Sequence, residues 1–292
     1  MSVPENPSLS EKEPSFEGSY KVLESPLLTQ TLELVDQQKQ AIEKLQPVDT
    51  ALWATIQEKL KIHWTYDSNA IEGSKLTLGE TMFFLQHGMT AEGKPFQDYL
   101  DANNHSEAIE LLYEMVSNQR AVSVSVIKEF NALLLSGVSN TKSIDQFGNP
   151  IKKKANPGEY KTLPNHVLQP DGKIHYYVEP LQVAQQMDEL VAWIQKNEDQ
   201  QHPVILAAIA HYNMVRIHPF DDGNGRGARL LMNLLLIKKG FPPAIIRNEE
   251  RRKYLETITQ ADRGHLSPFI VFIAQSLFRT QEMILADLGK AK

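Results

Sequence analysis

Cysteine is absent from all 292 residues. That excludes a disulfide scaffold, thiolate catalysis and cysteine-ligated zinc or iron–sulfur centres. It is also a composition that a reducing compartment permits, so a cytoplasmic setting is the expectation. Long hydrophobic runs are missing too. The longest strictly apolar stretch, Val204 to Ala210, falls far short of the roughly 20 residues of a spanning helix, and no membrane partner is expected. Nor is there an excess of positive charge: 30 Lys+Arg stand against 36 Asp+Glu, a net charge of -6. A nucleic-acid coat or an anionic-membrane binder needs a basic face, so no nucleic-acid partner is expected either. The N-terminus, MSVPENPSLSEKEPSFEG, has neither the basic start nor the apolar core of a signal peptide.

What is present is an ordinary globular composition, 41% hydrophobic and 23% charged, long enough to bury a large core. Residues 1–25, rich in Pro, Ser and Glu, read as an arm that stays mobile or drapes over the body. Helical periodicity then runs from Leu27 to Leu45 and from about Asp49, a candidate N-cap, to Glu72, with Gly73 as a stop. Thr77 to Glu80 has capping-box spacing and opens a helix ending near Gly88. Further helices are expected at about 95–118 and 123–136. From Val138 to about Pro180 no helical period is sustained, and prolines and glycines punctuate the chain. Asp171-Gly172 there lies between β-prone stretches at 165–168 and 174–178, a hairpin signal. Helices resume at about 180–196, 201–217, 224–239, 247–262 and 266–288. The second of these is apolar nearly all round and therefore central. The fold class is all-α with a single hairpin.

The chemistry concentrates in Ile217-His-Pro-Phe-Asp-Asp-Gly-Asn-Gly-Arg-Gly-Ala-Arg229. A buried helix ends, a tight loop follows, and a new helix begins near Asn224. Glycines at alternate positions let backbone amides approach a ligand, and amides at a helix start form an anion nest. Arg226 and Arg229 are three apart, on one face of the first turns, and two guanidinium groups beside such a nest suit a polyphosphate. Asp222 offers a hard oxygen ligand for Mg2+. His218 is the one group there able to take a proton near neutral pH. The pattern is not G-x-G-x-x-G, it follows a helix rather than a strand, and no G-x-x-x-x-G-K-(S/T) occurs, so dinucleotide-fold and P-loop readings fail.

His218 to Arg229 resembles the signature of the Fic family, H-x-F-x-(D/E)-G-N-G-R-x-x-R, at every defining position. Asn156 to Lys161 resembles the family's P-G-x-Y-R segment that leads into its flap hairpin, Val183 to Trp193 the helix after the flap, and Phe269 to Ile273 the closing helix. The resemblance implies a Fic-type helical bundle with one small β-hairpin flap and an N-terminal helical extension. The boundaries would be 1–25 for the arm, 26–95 for the extension and 96–292 for the catalytic domain. It implies transfer of AMP from Mg-ATP to a Ser, Thr or Tyr hydroxyl of a target protein, self-modification included. His218 would be the base and Asp222 would hold Mg2+. Gly223, Asn224 and Gly225 would cradle the phosphates, and Arg226 and Arg229 would bind the β- and γ-phosphates. Tyr254 falls where an adenine-side aromatic is common. The flap, with Thr162, Leu163, Pro164 and Asn165 at its start, would hold the target backbone by strand addition. The sequence departs from the family at Gly227, where Thr is frequent, at Lys161, where Arg is usual, and at Asp262, where many relatives have Asn.

Ser68 to Gly73 resembles the family's inhibitory motif, (S/T)-x-x-x-E-(G/N). Ser68 and Glu72 share a helix face, and Glu72 is expected to form a forked pair with Arg229, taking the arginine that the γ-phosphate needs. The resemblance also allows removal of AMP and a homodimer. The alternatives are transfer of UMP, a phosphoryl group or phosphocholine, or a nucleotide-binding regulatory protein without turnover. His202, His211 and His218, nine and seven apart, do not have metal-pair spacing, and Lys152 to Lys154 read as a solvated loop run.

Overall fold

The periodic segments become ten α-helices in the computed structural model, counted among its described residues, 16–45, 48–144, 150–168 and 174–290. They are α1 (Pro26–Glu43), α2 (Thr50–Ile71), α3 (Leu78–His87), α4 (Phe96–Ser117), α5 (Val124–Leu134), α6 (Pro180–Asn197), α7 (Pro203–Ile217), α8 (Asn224–Lys238), α9 (Arg251–Asp262) and α10 (Ser267–Lys290). Their ends carry the sequence signals. Ser25, Asp49 and Ser123 cap α1, α2 and α5 through side-chain oxygens. Thr77 and Glu80 form the full capping box of α3, satisfying backbone donors that a helix start leaves unpaired. Gly73, Gly88 and Gly137 stand at positive φ just past α2, α3 and α5.

α7 is the centre. Pro203 opens it, and its residues from Val204 to Met214 are almost all buried. α8 follows after the turn 218–223 and packs along it, with Leu230, Leu231, Met232 and Leu234 inside. α6, α9 and α10 pack on α7, while α4 and α5 close on α8. α1 lies along α10, where Gln281 Nε2 donates to Val35 O at 2.9 Å. One hydrophobic core runs through residues of α1, α2 and α4–α10, and a smaller cluster of Leu76, Tyr99 and Ala102 sits under α3. α10 is long and apolar enough to cross a membrane by length and composition, but 61% of that window is buried inside the fold. Its apolarity is that of a core helix.

Two expectations need correcting. The chain has a second hairpin besides the expected one: β1 (Asn140–Ile144) pairs with β2 (Pro150–Lys154), ahead of β3 (Val167–Leu168) and β4 (Ile174–His175). Its strands, NTKSI and PIKKK, lack the apolar alternation by which a strand is recognised. Lys152 to Lys154 therefore lie in a strand, not a loop, and Lys153 Nζ pairs with Asp221 at 2.5 Å. Of the arm, residues 1–15 lie outside the described residues. Residues 16–25 drape over the body: Asn213 Nδ2 donates to Ser19 O, and Tyr20 lies against Trp193 with centroids 4.9 Å apart. The Asp171-Gly172 turn also lies outside the described residues.

Candidate active site

The turn between α7 and α8 is built around His218. This residue caps α7 in the left-handed conformation, φ 51 and ψ 58, and its N–H donates to Met214 O. Its ring Nδ1 faces Val215 O at 3.3 Å. A carbonyl only accepts, so Nδ1 carries the hydrogen and Nε2 keeps the lone pair. Burial first, and the Lys161 ammonium second, hold the imidazole down at about 3. The Tyr177 ring stacks on it, centroids 3.7 Å apart and planes 17° apart.

The loop that follows is closed by its own side chains. Asn224 Oδ1 accepts from Phe220 N at 2.9 Å, and Asn224 Nδ2 donates to Phe220 O at 2.8 Å. The Asn224 side chain is thus occupied in shaping the turn. What α8 offers a ligand here is the row of amides in its first turn, whose N–H groups have no partner within the helix. Gly223, at φ 75, starts that turn, and a Cβ on it would stand 3.1 Å from Asn131 Nδ2. Gly225 has no room for a side chain because a Cβ would run into the Glu72 carboxylate. Asp222 accepts from Gly223 N at 2.6 Å through Oδ1 and is half-exposed. No three-residue cluster of metal-ligating side chains occurs among the described residues. A single outward carboxylate still fits Mg2+, which is held through one or two carboxylates together with substrate phosphates.

Both arginines are already paired. Arg226 lies 3.0 Å from Asp101 Oδ1 and 4.0 Å from Asp222 Oδ1. Arg229 is buried, and Glu72 touches it from the end of α2. Here the expected fork is only half present: Nη2 donates to Glu72 Oε1 at 2.7 Å, while Nε donates to Ser68 Oγ and Nη2 also to Ser68 O, both at 2.9 Å. Ser68 takes the second arm because it lies one turn before Glu72 on the same face. Burial alone would raise the Glu72 carboxyl. The charge and hydrogen bond of Arg229, with Arg226 and Arg251 behind, outweigh it and hold the group below the usual carboxylate range. Tyr254 lies beneath this pair rather than in the open. It is buried, its hydroxyl bonds His211 Nε2 at 3.0 Å, and burial pushes it up to about 12. Asp262 accepts from the Tyr212 hydroxyl at 3.1 Å.

The flap side divides in two. Thr162, Leu163 and Pro164 are exposed, whereas the Asn165 side chain turns inward, its Nδ2 donating to Phe220 O at 2.8 Å. Three residues at the site escaped the sequence reading. Asn131, on the buried face of α5, donates to Asp222 O and accepts from Gly158 N, joining the loop to the flap's base. A buried Asn amid the apolar stripe VIKEFNALL was the available signal. Asp101 and Tyr177 had none, since neither is near the signature in sequence.

Residues 121–236 match the model of the Fic/DOC family. The chain carries a Fic domain. It is 33% identical over 224 residues to the protein adenylyltransferase Fic of Nematostella vectensis, covering 76% of this chain and 48% of that one. To the protein of the same name from Aedes aegypti it is 30% identical over 282 residues, covering 96% and 52%. The chain thus spans about half the length of the curated relatives it matches. Among solved structures, a Fic-domain-containing signalling protein from Bacteroides thetaiotaomicron superposes with a TM-score of 0.77 at 29% identity, over 88% of this chain and 97% of that one. A fragment of Fic-1 from C. elegans gives 0.75 at 26%, over 91% and 74%. The all-α Fic fold follows from these and from the helices described above, and the Fic turn is the loop 218–223 with its helix α8.

Proposed function

We propose that this chain is an autoinhibited protein adenylyltransferase, moving AMP from ATP to a hydroxyl of a target protein. The observation that carries the reading is the placement of one neutral imidazole, one amide-lined helix start and two arginines on a single turn, with Glu72 on the second arginine. In the transfer, the target hydroxyl oxygen bonds to the α-phosphorus, the bond to the bridging oxygen of the β-phosphate breaks, and pyrophosphate leaves. His218 Nε2 takes the hydroxyl proton, a role typically worth roughly 10²–10⁴ in rate. The first amides of α8, with Arg226 and Arg229, stabilise the charge that develops on the phosphates. Mg2+, held by Asp222, would neutralise charge on the α- and β-phosphates. The open backbone at Thr162, Leu163 and Pro164 would seat the target as an added strand.

The brake follows from the same geometry. With Glu72 on Arg229, the γ-phosphate loses its partner, and the nucleotide settles with its α-phosphate out of line for attack. Each decade of inhibition needs only about 1.4 kcal/mol of shifted equilibrium. ATP labelled at the α-phosphate tests both parts, with Mg2+, on wild type, Glu72→Gly, and Glu72→Gly with His218→Ala. Label on target or self is expected to be strong for the second protein alone, ten- to a hundredfold over wild type. Absence of label from all three, with ATP still bound, would remove the transferase reading and leave a nucleotide-binding protein. Stronger suppression of the label by excess UTP or CDP-choline than by the same excess of unlabelled ATP would move the reading to another transferred group.

A further inference from the structure

A non-glycine residue in the left-handed region is strained and persists only where its surroundings over-determine it. His218 is such a residue, and besides its own bonds to α7 a further hold comes from one short segment outside the signature. Four consecutive carbonyls, Ile217 to Phe220, accept from residues 161–165. Lys161 Nζ donates to Ile217 O at 3.5 Å, Asn165 Nδ2 to His218 O at 3.5 Å, Lys161 N to Pro219 O at 2.8 Å, and Asn165 Nδ2 to Phe220 O at 2.8 Å. The two holders are themselves joined, Lys161 Nζ donating to Asn165 Oδ1 at 2.7 Å.

The ammonium is the informative part. Lys161 is 2% exposed. The carboxylates acting on it, Glu179 and Asp221, do so from a distance, and Asp221 is already paired with Lys153 at 2.5 Å. Burying an ammonium on neutral acceptors, with no carboxylate in contact, is costly, and an unbranched apolar side chain would fill the same space without that cost. Packing therefore does not explain a lysine here. Desolvation brings it down to about 8, against the pull of Glu179 and Asp221 and with the push of Lys153. It lies 5.8 Å from the centre of the Tyr177 ring that covers His218. After burial its charge is the largest influence opposing protonation of that imidazole, with His175 adding a smaller one.

We propose that Lys161, with Asn165, is the positioning pair of the His218 base: together they hold the left-handed turn that aims the imidazole. The charge of Lys161 has a second consequence, since it adds to burial in opposing protonation of the base. Both statements rest on the transferase reading for their purpose, so the test needs a readout that does not depend on turnover. The variants are Lys161→Met, Lys161→Arg and Asn165→Ala, each in the Glu72→Gly background. The measurements are kcat for AMP transfer, the ATP dissociation constant, melting temperature, and the imidazole NMR titration of His218, assigned by its loss in His218→Ala.

Lys161→Met is expected to lower kcat by about ten- to a hundredfold, the range a small misplacement of a reacting group produces. The ATP constant should stay within about twofold, the split that marks loss of a transition-state interaction. The His218 titration should move to higher pH. Lys161→Arg should restore most of both effects, and Asn165→Ala should lower kcat without moving the titration. An unchanged His218 titration in Lys161→Met would overturn the proposal. So would a joint fall of kcat, ATP affinity and melting temperature that Lys161→Arg fails to restore, because that pattern belongs to a merely structural residue. If Glu72→Gly transfers nothing, the transferase reading fails, and the NMR titration alone then supports or overturns the hold of Lys161 on His218.

Discussion

Arg229 makes three hydrogen bonds to α2, and only one of them is to a carboxylate. Removing single partners therefore separates contributions that the motif alone would lump together. Ser68→Ala deletes the bond to Nε and leaves the Ser68 carbonyl and Glu72 in place. It is expected to raise AMP transfer by roughly tenfold, the low end of the about 1.5–3 kcal/mol that a hydrogen bond to a charged group contributes, and by less than Glu72→Gly, because the charge pair with Glu72 stays. A gain equal to that of Glu72→Gly in the α-labelled ATP assay would contradict this ordering. Gly227 is a different kind of residue. It lies inside α8, and a Cβ on it would meet only Met214 Cε, the far end of a flexible side chain. Since Ala exceeds Gly in a helix interior by about 1 kcal/mol and Met yields readily, Gly227→Ala should raise the melting temperature by about 2–4 °C. A calorimetric scan checks it. The departure from the family at this position is thus explained by tolerance, not by a contact that demands glycine.

α2 is the element on which the proposed brake depends, and its C-terminal end is held by more than Arg229. Arg251 Nε donates to Ile71 O at 2.8 Å, and Asn248 N donates to Asp67 Oδ1 at 2.9 Å. Asp67 is buried, and burial, opposed by the Asn248 bond and by Arg247, raises it to about 6. A carboxyl whose pKa is higher folded than unfolded binds its proton more tightly in the folded protein. Its contribution to stability is therefore present below pH ~4 and is lost as pH rises through 6. Asp67→Asn keeps an acceptor for Asn248 and removes the titration. Urea unfolding of the variant should show a flatter stability profile between pH 4 and 6, with a gain at pH 7 of about 1–3 kcal/mol over wild type. An unchanged slope would show that Asp67 does not titrate there. The helices themselves were legible because their stops and caps are local: Asp49, Thr77, Glu80 and Gly88 act on neighbours three or four residues away. β1 and β2 were not, because their strands carry no apolar alternation and Lys153 meets Asp221 only across 68 positions of chain.

Across the whole molecule the N-terminal helices and the Fic domain share one hydrophobic core, with α1 on α10 and Trp64 of α2 fully buried. Unfolding is therefore expected as one cooperative transition rather than two. Removal of residues 1–45 should uncover the α10 face and lose the transition altogether, whereas an inhibitory segment that folded apart from the rest would give two transitions by calorimetry. The sequence by itself determined the helical class, the turn at 218–229 with its imidazole, glycines and arginines, and the position of Ser68 and Glu72 on one face. Each of these is written in spacing within a few residues. Tertiary structure decided the rest. It placed Glu72 against Arg229 across 157 positions of chain, set Tyr177 on His218, gave Arg226 to Asp101, and turned Asn165 and Lys161 inward toward the 217–220 carbonyls. Those pairings join residues that only the packing of α2, α4 and the flap on α7 and α8 brings together, and no local period carries such information.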